Sequence, residues 1–461
     1  MNDKYDVLVI GSGPGGYVAA IRAAQLGLRT AVVERDQLGG ICLNWGCIPT
    51  KALLHGADVA HTLASMAPLG FRADGVEFDM AQLVEFSRSV SQRLAGGVGY
   101  LMRKNGIDVL TGTARLLDKG VVEVAADGGR SVHRADHVIL ATGARPRAVP
   151  GLEPDGERIW TYFQALAPAE LPRSLLVVGS GAIGVEFASL YRDLGSEVTL
   201  VEVAPRIMPG EDAAVSEHVR AQFEKRGIRV HAGTSVSDVA VAADGVSATL
   251  GGADRIIAER VLVAAGIRGN VEDLGLAEVG VEVDGGFVRT DEWGRTTAFG
   301  VYAIGDVAGG PCLAHKASHE AVVCVEKLAG LDHVTPLDPA YVPGCTYARP
   351  QVARLGLTEE QARATGRPLQ IGTFDLQASG KALTIGEADG FVKTIFDGST
   401  GELLGAHLVG PEVTEHVQGF GIARALEATA DDLAEVVFAH PTLSEALHES
   451  VLSALGKPRN A

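Results

Sequence analysis

Two of the five cysteines, Cys42 and Cys47, stand five residues apart in GGICLNWGCIPTK (39–51), with Lys51 four residues after the second. A pair this close can hold a metal, pack as small hydrophobes, or exchange electrons. For zinc, C-x4-C is a long half-site, and the remaining cysteines, Cys312, Cys324 and Cys345, are scattered singly, so no second half-site exists. Those three read as buried small hydrophobes. On an ideal helix, residues five apart diverge by roughly 140°. A disulfide between Cys42 and Cys47 therefore requires a distorted segment, which Gly46 and Pro49 can supply. The helix expected to start at PTKALLHGADVA would lower the pKa of a nearby thiol at its N-terminus.

A second constellation lies near the end of the chain, in FAHPTLSEALHESVLSAL. T-x-x-E here reads as a capping box, with Thr442 the N-cap and Glu445 at N3 of a C-terminal helix. Alone, this accounts for Glu445, and His440 is an unassigned histidine.

Elements that position such groups appear as a repeat. Strand YDVLVI runs into Gly11-Ser12-Gly13-Pro14-Gly15-Gly16 and a helix, and strand RTAVVE ends on Glu34. The design returns as SLLVVG, Gly179-Ser180-Gly181-Ala182-Ile183-Gly184, helix VEFASLYRDLG and EVTLVE ending on Glu202, with the same 23-residue offset from first glycine to glutamate. In such a turn Gly11 or Gly179 permits the bend, Gly13 or Gly181 lets a pyrophosphate approach, and Gly16 or Gly184 lets helix and strand pack. The terminal carboxylate can accept from a ribose hydroxyl. Two dinucleotide sites follow. Glu202 accepts from a ribose 2′-OH and repels a 2′-phosphate, which favours NAD over NADP, with Arg206 close enough to soften that preference.

Global features agree with an enzyme of several compact units. The chain has 461 residues, is 46% hydrophobic and carries a formal charge of −17. That charge repels a nucleic-acid backbone, so a nucleic-acid role is excluded as the expectation. No basic leader opens the chain and no stretch is apolar enough to span a bilayer, so a cytoplasmic protein is expected, with no membrane association.

The cysteine segment resembles the active-site signature of the flavoprotein disulfide reductases, in the CLNxGCIPxK form of the dihydrolipoamide dehydrogenases. Further matches are ATG (141–143), GSGAIGVEFAS (179–189), YAIGDVAG (302–309), LAHKA (313–317) and HPTLSE (440–445), so the resemblance runs the length of the chain. It implies an α/β protein with two Rossmann-like dinucleotide-binding domains and a C-terminal α+β dimerisation domain. The expected boundaries are 1–145 for FAD, 146–273 for NAD, 274–340 for a central segment completing the FAD site, and 341–461 for the interface.

By the same resemblance Cys42 and Cys47 form a redox-active disulfide. FAD is expected on Gly11, Gly13, Gly16, Glu34, Lys51, Thr142, Gly143, Asp306 and Ala314, and NAD on Gly179, Gly181, Gly184, Glu202 and Gly266. Without it, Asp306 would read as a turn aspartate, and Lys51 and Glu186 as solvated helix charges, although Glu186 interrupts the apolar run AIGVEFASL. The family pattern instead pairs Glu186 with Lys51 beside the flavin and makes His440 and Glu445 an acid–base dyad that serves the cysteines of the other subunit. The implied reaction oxidises protein-bound dihydrolipoyl groups with NAD⁺. The implied partners are a second copy of the chain and a dihydrolipoyl acyltransferase core or glycine-cleavage lipoyl protein. Glutathione and trypanothione reductases favour NADPH, against which Glu202 stands, and mercuric reductases add a C-terminal cysteine pair where this chain reads SALGKPRNA. No metal is expected. Two departures from the family pattern, Ala348-Arg349-Pro350 and the ending AAGIRGN (264–270), fall in the interface and NAD segments.

Overall fold

The computed structural model describes residues 4–72 and 75–460, which divide into two compact units. The first takes in the described residues up to 53 with 81–147 and 266–339, and the second those from 54 to 80 with 148–265 and from 340 onward.

The first unit is organised by strand Lys4–Ile10, in which Val7, Leu8, Val9 and Ile10 are at most 4% exposed. A strand buried on both faces reads as an unbroken apolar run, as central parallel strands do. Thr30–Glu34 and Asp108–Thr111 extend the sheet in parallel on one side, Gly129–Leu140 and Val301–Ala303 on the other. A meander of Thr113–Asp118, Val121–Ala126 and Gly129–Leu140 completes it in antiparallel fashion. Helix Pro14–Gln25 starts with proline in its first turn, where no N–H is needed, and packs against helix Ala314–Leu328. Gly15 faces that contact: a Cβ there would lie 3.3 Å from the Ala317 carbonyl oxygen.

The second unit repeats the parallel theme in the strand order Arg229–His231, Glu197–Val201, Ser174–Val178, Arg260–Val263 and Ile159–Trp160. It adds a three-stranded antiparallel sheet (Val236–Ala242, Gly245–Leu250, Asp254–Ala258). Its C-terminal part is a five-stranded antiparallel sheet in the order Gly344–Thr346, Gln351–Gly356, Leu403–Gly410, Phe391–Asp397, Leu369–Asp375. Helix Glu445–Ala454 packs on Leu369–Asp375, and Gly372 makes room: a Cβ would meet the Ser450 carbonyl oxygen at 2.0 Å. Phe374, Phe396, Leu408, Phe420 and Val451 are among the buried side chains of that core, each worth about 1.5–3 kcal/mol on burial.

The mixed α/β architecture with two Rossmann-like halves and an α+β C-terminal sheet is the one the motifs implied. Arg349, one of the departures, is an ion-pair hub: its guanidinium meets Asp58 at 2.7 Å and Glu387 at 2.9 Å, and its N–H donates to Ser189 Oγ at 2.9 Å. In the other departure, Ile267–Gly269 pairs with Ala144–Pro146, and Asn270 Nδ2 donates to the Thr142 carbonyl at 2.8 Å.

Candidate active site

The two glycine turns have the same geometry. Gly11 and Gly179 have φ of +99° and +102°, and a Cβ would meet the Ala141 or Ala264 carbonyl oxygen at 2.4 or 2.6 Å. Gly16 and Gly184 would each drive a Cβ to 1.9 Å from the Gly11 or Gly179 carbonyl oxygen. Only glycine satisfies these positions. Gly13 and Gly181 differ in kind. Both have ordinary negative φ, both are N-caps without a side-chain cap, and nothing lies within 4 Å of where a Cβ would stand. The helix N–H groups behind them thus face open space, which is the form of a pyrophosphate cradle.

Glu34 and Glu202 are gripped alike. Glu34 Oε2 accepts from the Ser12 N–H at 3.0 Å and its hydroxyl at 2.6 Å, and Oε1 from the Asp36 N–H at 2.9 Å. Glu202 Oε2 accepts from the Ser180 N–H at 2.9 Å and its hydroxyl at 2.7 Å, and Oε1 from the Ala204 N–H at 2.8 Å. The serines were missed in the sequence reading, although each occupies the second place of its glycine turn. Arg206 forms an ion pair with Glu360 at 3.5 Å rather than standing as an uncommitted cation beside Glu202.

The cysteines flank a helix break. Helix Gly40–Trp45 ends at Gly46, whose φ of −147° and ψ of −113° leave the helical region, and a new helix, Cys47–Ser65, begins with the second cysteine itself. Gly46 supplies the distortion; Pro49 instead sits in the first turn of the new helix, which starts two residues earlier than PTK suggests. Both residues are thiols and no disulfide is formed. The Cys42 and Cys47 thiols hydrogen-bond each other, and the Cys47 N–H donates to the Cys42 sulfur.

The expected lowering of a thiol pKa does not hold for Cys42. Its hydrogen bond to Cys47, burial and the charge of Cys47 push it far up, and the nearby Lys51 and the Cys47 N–H only partly offset this. Two adjoining thiols resist a second negative charge, so the pair titrates as a unit. Tyr17, which the sequence reading did not single out, lies close enough that burial and the two cysteines raise its phenol. Asn44 braces the segment, with its amide donating to the Leu38 and Gly40 carbonyls at 3.0 and 2.9 Å, and Arg88 covers the Trp45 ring at 4.2 Å.

Of the other flavin-side expectations, Thr142 Oγ1 donates to the Asn270 carbonyl at 2.8 Å, and Gly143 takes the left-handed φ of +71°. Asp306 lies on the 3-10 turn Gly305–Ala308, where burial raises its carboxyl and Lys316 opposes that rise. Ala314 is the first residue of helix Ala314–Leu328, whose N-cap Leu313 provides no side-chain cap. Gly266 has φ of +102°, and its carbonyl accepts from the Arg147 N–H at 3.0 Å.

In the second unit Glu186 is 5% exposed, so it is no solvated helix charge, and its Oε1 accepts from the Tyr347 N–H at 2.9 Å. His440 Nδ1 meets Glu445 Oε1 at 2.9 Å and Oε2 at 3.2 Å, while the imidazole is 77% exposed. Glu445 Oε2 also accepts from the Thr442 N–H at 2.9 Å, and these bonds hold its carboxyl below the usual range although burial opposes them. The capping box is only half formed. The Thr442 hydroxyl donates back to the Ala439 carbonyl at 2.7 Å, the helix starts at Glu445, and its N-cap is Ser444. Glu445 spends its carboxylate on His440, which a capping role alone would not require. Of the three single cysteines, Cys324 is buried as expected, whereas Cys312 and Cys345 are only half-buried. Among the described residues no cluster of metal-ligating side chains occurs and no helix is long and apolar enough to cross a membrane.

Comparison with known proteins fits this arrangement. Residues 5–321 match the family model of the pyridine nucleotide-disulphide oxidoreductases, and residues 342–451 match the dimerisation domain of the same family. The chain is 52% identical to a dihydrolipoyl dehydrogenase of Rhizobium etli, with 100% of both chains covered. It is 51% identical to one of Zymomonas mobilis, with 99% of each covered. Among solved structures, LpdA of Mycobacterium tuberculosis superposes with a TM-score of 0.91 at 29% identity, covering 96% of this chain and 98% of that one. A Cu(II) complex of the HOCl-induced flavoprotein disulfide reductase RclA of Escherichia coli gives 0.88 at 27% identity, covering 98% and 99%. With twin nucleotide turns, a thiol pair at a helix break and a dimerisation domain, the chain belongs to the pyridine nucleotide-disulphide oxidoreductase family and is an FAD-dependent NAD oxidoreductase.

Proposed function

We propose that this protein is a dihydrolipoyl dehydrogenase that oxidises protein-bound dihydrolipoyl groups to the cyclic disulfide and reduces NAD⁺. The observation that carries the reading is the Cys42–Cys47 contact across the Gly46 break, with Lys51 acting on it from the same helix. The open N-termini at Gly13 and Gly181 fit two pyrophosphates, and the helix N-terminus at Ala314 fits an electron-rich ring edge. On this reading residues 1–145 and the central segment 274–340 hold FAD, 146–273 hold NAD, and 341–461 form the interface of a homodimer.

The chain's residues divide the chemistry as follows. His440 of one copy, its Nδ1 held by Glu445, uses Nε2 to take a proton from a substrate thiol at the cysteines of the other. The substrate thiolate attacks Cys42 in the Cys42–Cys47 disulfide; that S–S bond breaks and Cys47 leaves as a thiolate. His440 passes that proton to solvent and then takes the proton of the second substrate thiol, whose sulfur closes on the first. The mixed disulfide breaks, the lipoyl ring is released, and Cys42 takes up the proton from the imidazolium. FAD, held at the first glycine turn, would supply the two-electron acceptor for the reduced cysteines and the hydride donor for NAD⁺. Lys51 serves as the cation at the flavin, with Thr142, Gly143 and Asp306 completing its site, Glu186 is the carboxylate that the family pattern assigns to that cation, and Gly266 completes the site of NAD.

The lipoyl carrier is a separate chain, either a dihydrolipoyl acyltransferase core or the glycine-cleavage lipoyl protein, met in the cytoplasm. The test is to mix purified holoprotein with dihydrolipoamide and NAD⁺ and follow NADH. Turnover that disappears in Cys42→Ser supports the assignment. Flavin bound with no turnover would refute the dihydrolipoyl substrate and redirect the search to other disulfides or a scaffold role.

A further inference from the structure

Beneath the turn that carries Asp306 lies a buried ion pair that the mechanism above does not use. Lys316 is 4% exposed. Its Nζ donates to the Gly309 carbonyl at 2.7 Å and to that of Gly305 at 3.4 Å, and meets Glu320 Oε1 at 2.9 Å. The other Glu320 oxygen accepts from the Gly305 N–H at 2.8 Å. Lys316 and Glu320 are four apart on helix Ala314–Leu328, so one helix face grips both ends of the Gly305–Gly309 turn. A lysine so fully withdrawn from water requires these partners, because an uncompensated ammonium would cost several kcal/mol.

We propose that Lys316, together with Glu320, is a positioning residue for the flavin: it locks the Asp306 turn to the helix that begins at Ala314 and sets the charge the turn presents. The inference rests on the placing of FAD at Asp306 and Ala314 proposed above. It joins two groups assigned to one cofactor, the carboxylate for its ribityl chain and the helix N-terminus for its ring, through a single charge-assisted clamp.

The charges acting on Asp306 have defined signs. Burial and Glu320 disfavour its anion, and Lys316 favours it. Cys312, after the turn, is a thiol pushed up to about 12, so it stays neutral. Arg268, on the strand Ile267–Gly269 packed against the turn, is committed to Glu272 at 3.6 Å. Of the other titratable groups on the helix, His315 and His319 are exposed, Cys324 is a buried thiol, and Glu326 and Lys327 lie near its far end. A carboxylate that accepts from a ribityl hydroxyl strengthens binding above its pKa and loses that contribution as pH falls through it. Removing Lys316 moves the acid limit of FAD binding upward; removing the charge of Glu320 moves it downward.

The experiment measures FAD release from the full-length holoprotein by flavin fluorescence across pH 5–8, with the visible spectrum of the bound flavin recorded alongside. Lys316→Met is expected to weaken FAD binding at least about tenfold, the loss of a charge-assisted clamp, and to shift the acid limb to higher pH. Glu320→Gln, which can still accept from the Gly305 N–H, shifts it to lower pH. Opposite shifts support the inference; no shift, or shifts in one direction, overturns it. If Lys316→Met does not fold, Glu320→Gln decides alone: a downward shift supports, an unchanged limb overturns. Asp306→Asn separates the two levels. Loss of the acid limb in Asp306→Asn with unchanged limbs in the other two overturns the role of Lys316 and leaves the flavin placement standing, whereas wild-type binding in Asp306→Asn removes that placement.

Discussion

Cys42 and Cys47 share a thiol hydrogen bond across the break at Gly46, and the Cys47 N–H points back at the Cys42 sulfur. The two sulfurs are inequivalent in position, because Cys47 opens the helix Cys47–Ser65 and Cys42 does not. The helix N-terminus suits Cys47 to carry charge.

Cys42→Ser and Cys47→Ser are therefore expected to abolish dihydrolipoamide oxidation, each by at least about 10³-fold, the scale seen when a covalent nucleophile is removed. Flavin content should stay at the wild-type level because neither side chain forms the glycine turns. Absorbance of the purified variants together with NADH formation checks both halves.

Gly181→Ala and Gly184→Ala should separate binding from folding. A methyl at Gly181 meets nothing within 4 Å, so the melting temperature should hold while NADH binding weakens, since the methyl occupies the cradle. A methyl at Gly184 would stand 1.9 Å from the Gly179 carbonyl oxygen, and overpacking of this kind costs about 1–3 kcal/mol. Thermal unfolding and NADH titration of the two variants would show the contrast; equal melting temperatures would contradict it.

His440→Gln and Glu445→Gln should lower kcat by roughly 10²–10⁴-fold and tenfold or more respectively, since one loses the base and the other its orientation. Glu445 has a depressed carboxyl, so its hold on His440 and the Thr442 N–H is present above the unfolded value and lost as pH falls through the folded one. An acid limb in kcat/KM that survives unchanged in Glu445→Gln would rule out the dyad.

NADH should be used with roughly hundredfold greater efficiency than NADPH, because Glu202 would face a 2′-phosphate with a carboxylate. Arg206 has Glu360 as an exposed ion-pair partner at 3.5 Å, so the preference rests on Glu202. Comparable kcat/KM for the two nucleotides would defeat this reading.

Glu211 offers a stability test remote from the chemistry. Burial raises its carboxyl to about 6, although Arg354 at 3.0 Å opposes the rise. A raised carboxyl favours the fold when protonated, so stability falls as pH rises from the unfolded value through the folded one. Glu211→Gln should gain relative stability over that window, on the order of 2 kcal/mol at its upper end. Denaturant unfolding at pH 4.5 and 7 measures the difference, and a constant offset would disprove the assignment.

Much of the architecture was legible because it rests on local rules. The glycine turns declare themselves by spacing, and the apolar run at Val7–Ile10 marks a strand buried on both faces. What escaped were side-chain commitments between segments distant in sequence. Ser12 finding Glu34, or Lys316 choosing the Gly305 and Gly309 carbonyls, depends on where a turn closes. The capping box at Thr442 was misread for the same reason: the pattern T-x-x-E fits a cap and its carboxylate half forms, but the Thr442 hydroxyl turns back to the Ala439 carbonyl. The direction of the Cys42 shift was missed because it comes from a sulfur neighbour and burial, against which a helix N-terminus is the smaller influence.

The serine clasp on Glu34 and Glu202 has a kinetic consequence. Each carboxylate is held at both oxygens by its own loop, so its orientation is settled when the chain folds, not when a nucleotide arrives. Ordering those loops costs nothing at the moment of encounter. Nucleotide capture then resembles a key entering a finished lock, and its rate should follow solvent viscosity rather than the slower tempo of loop rearrangement.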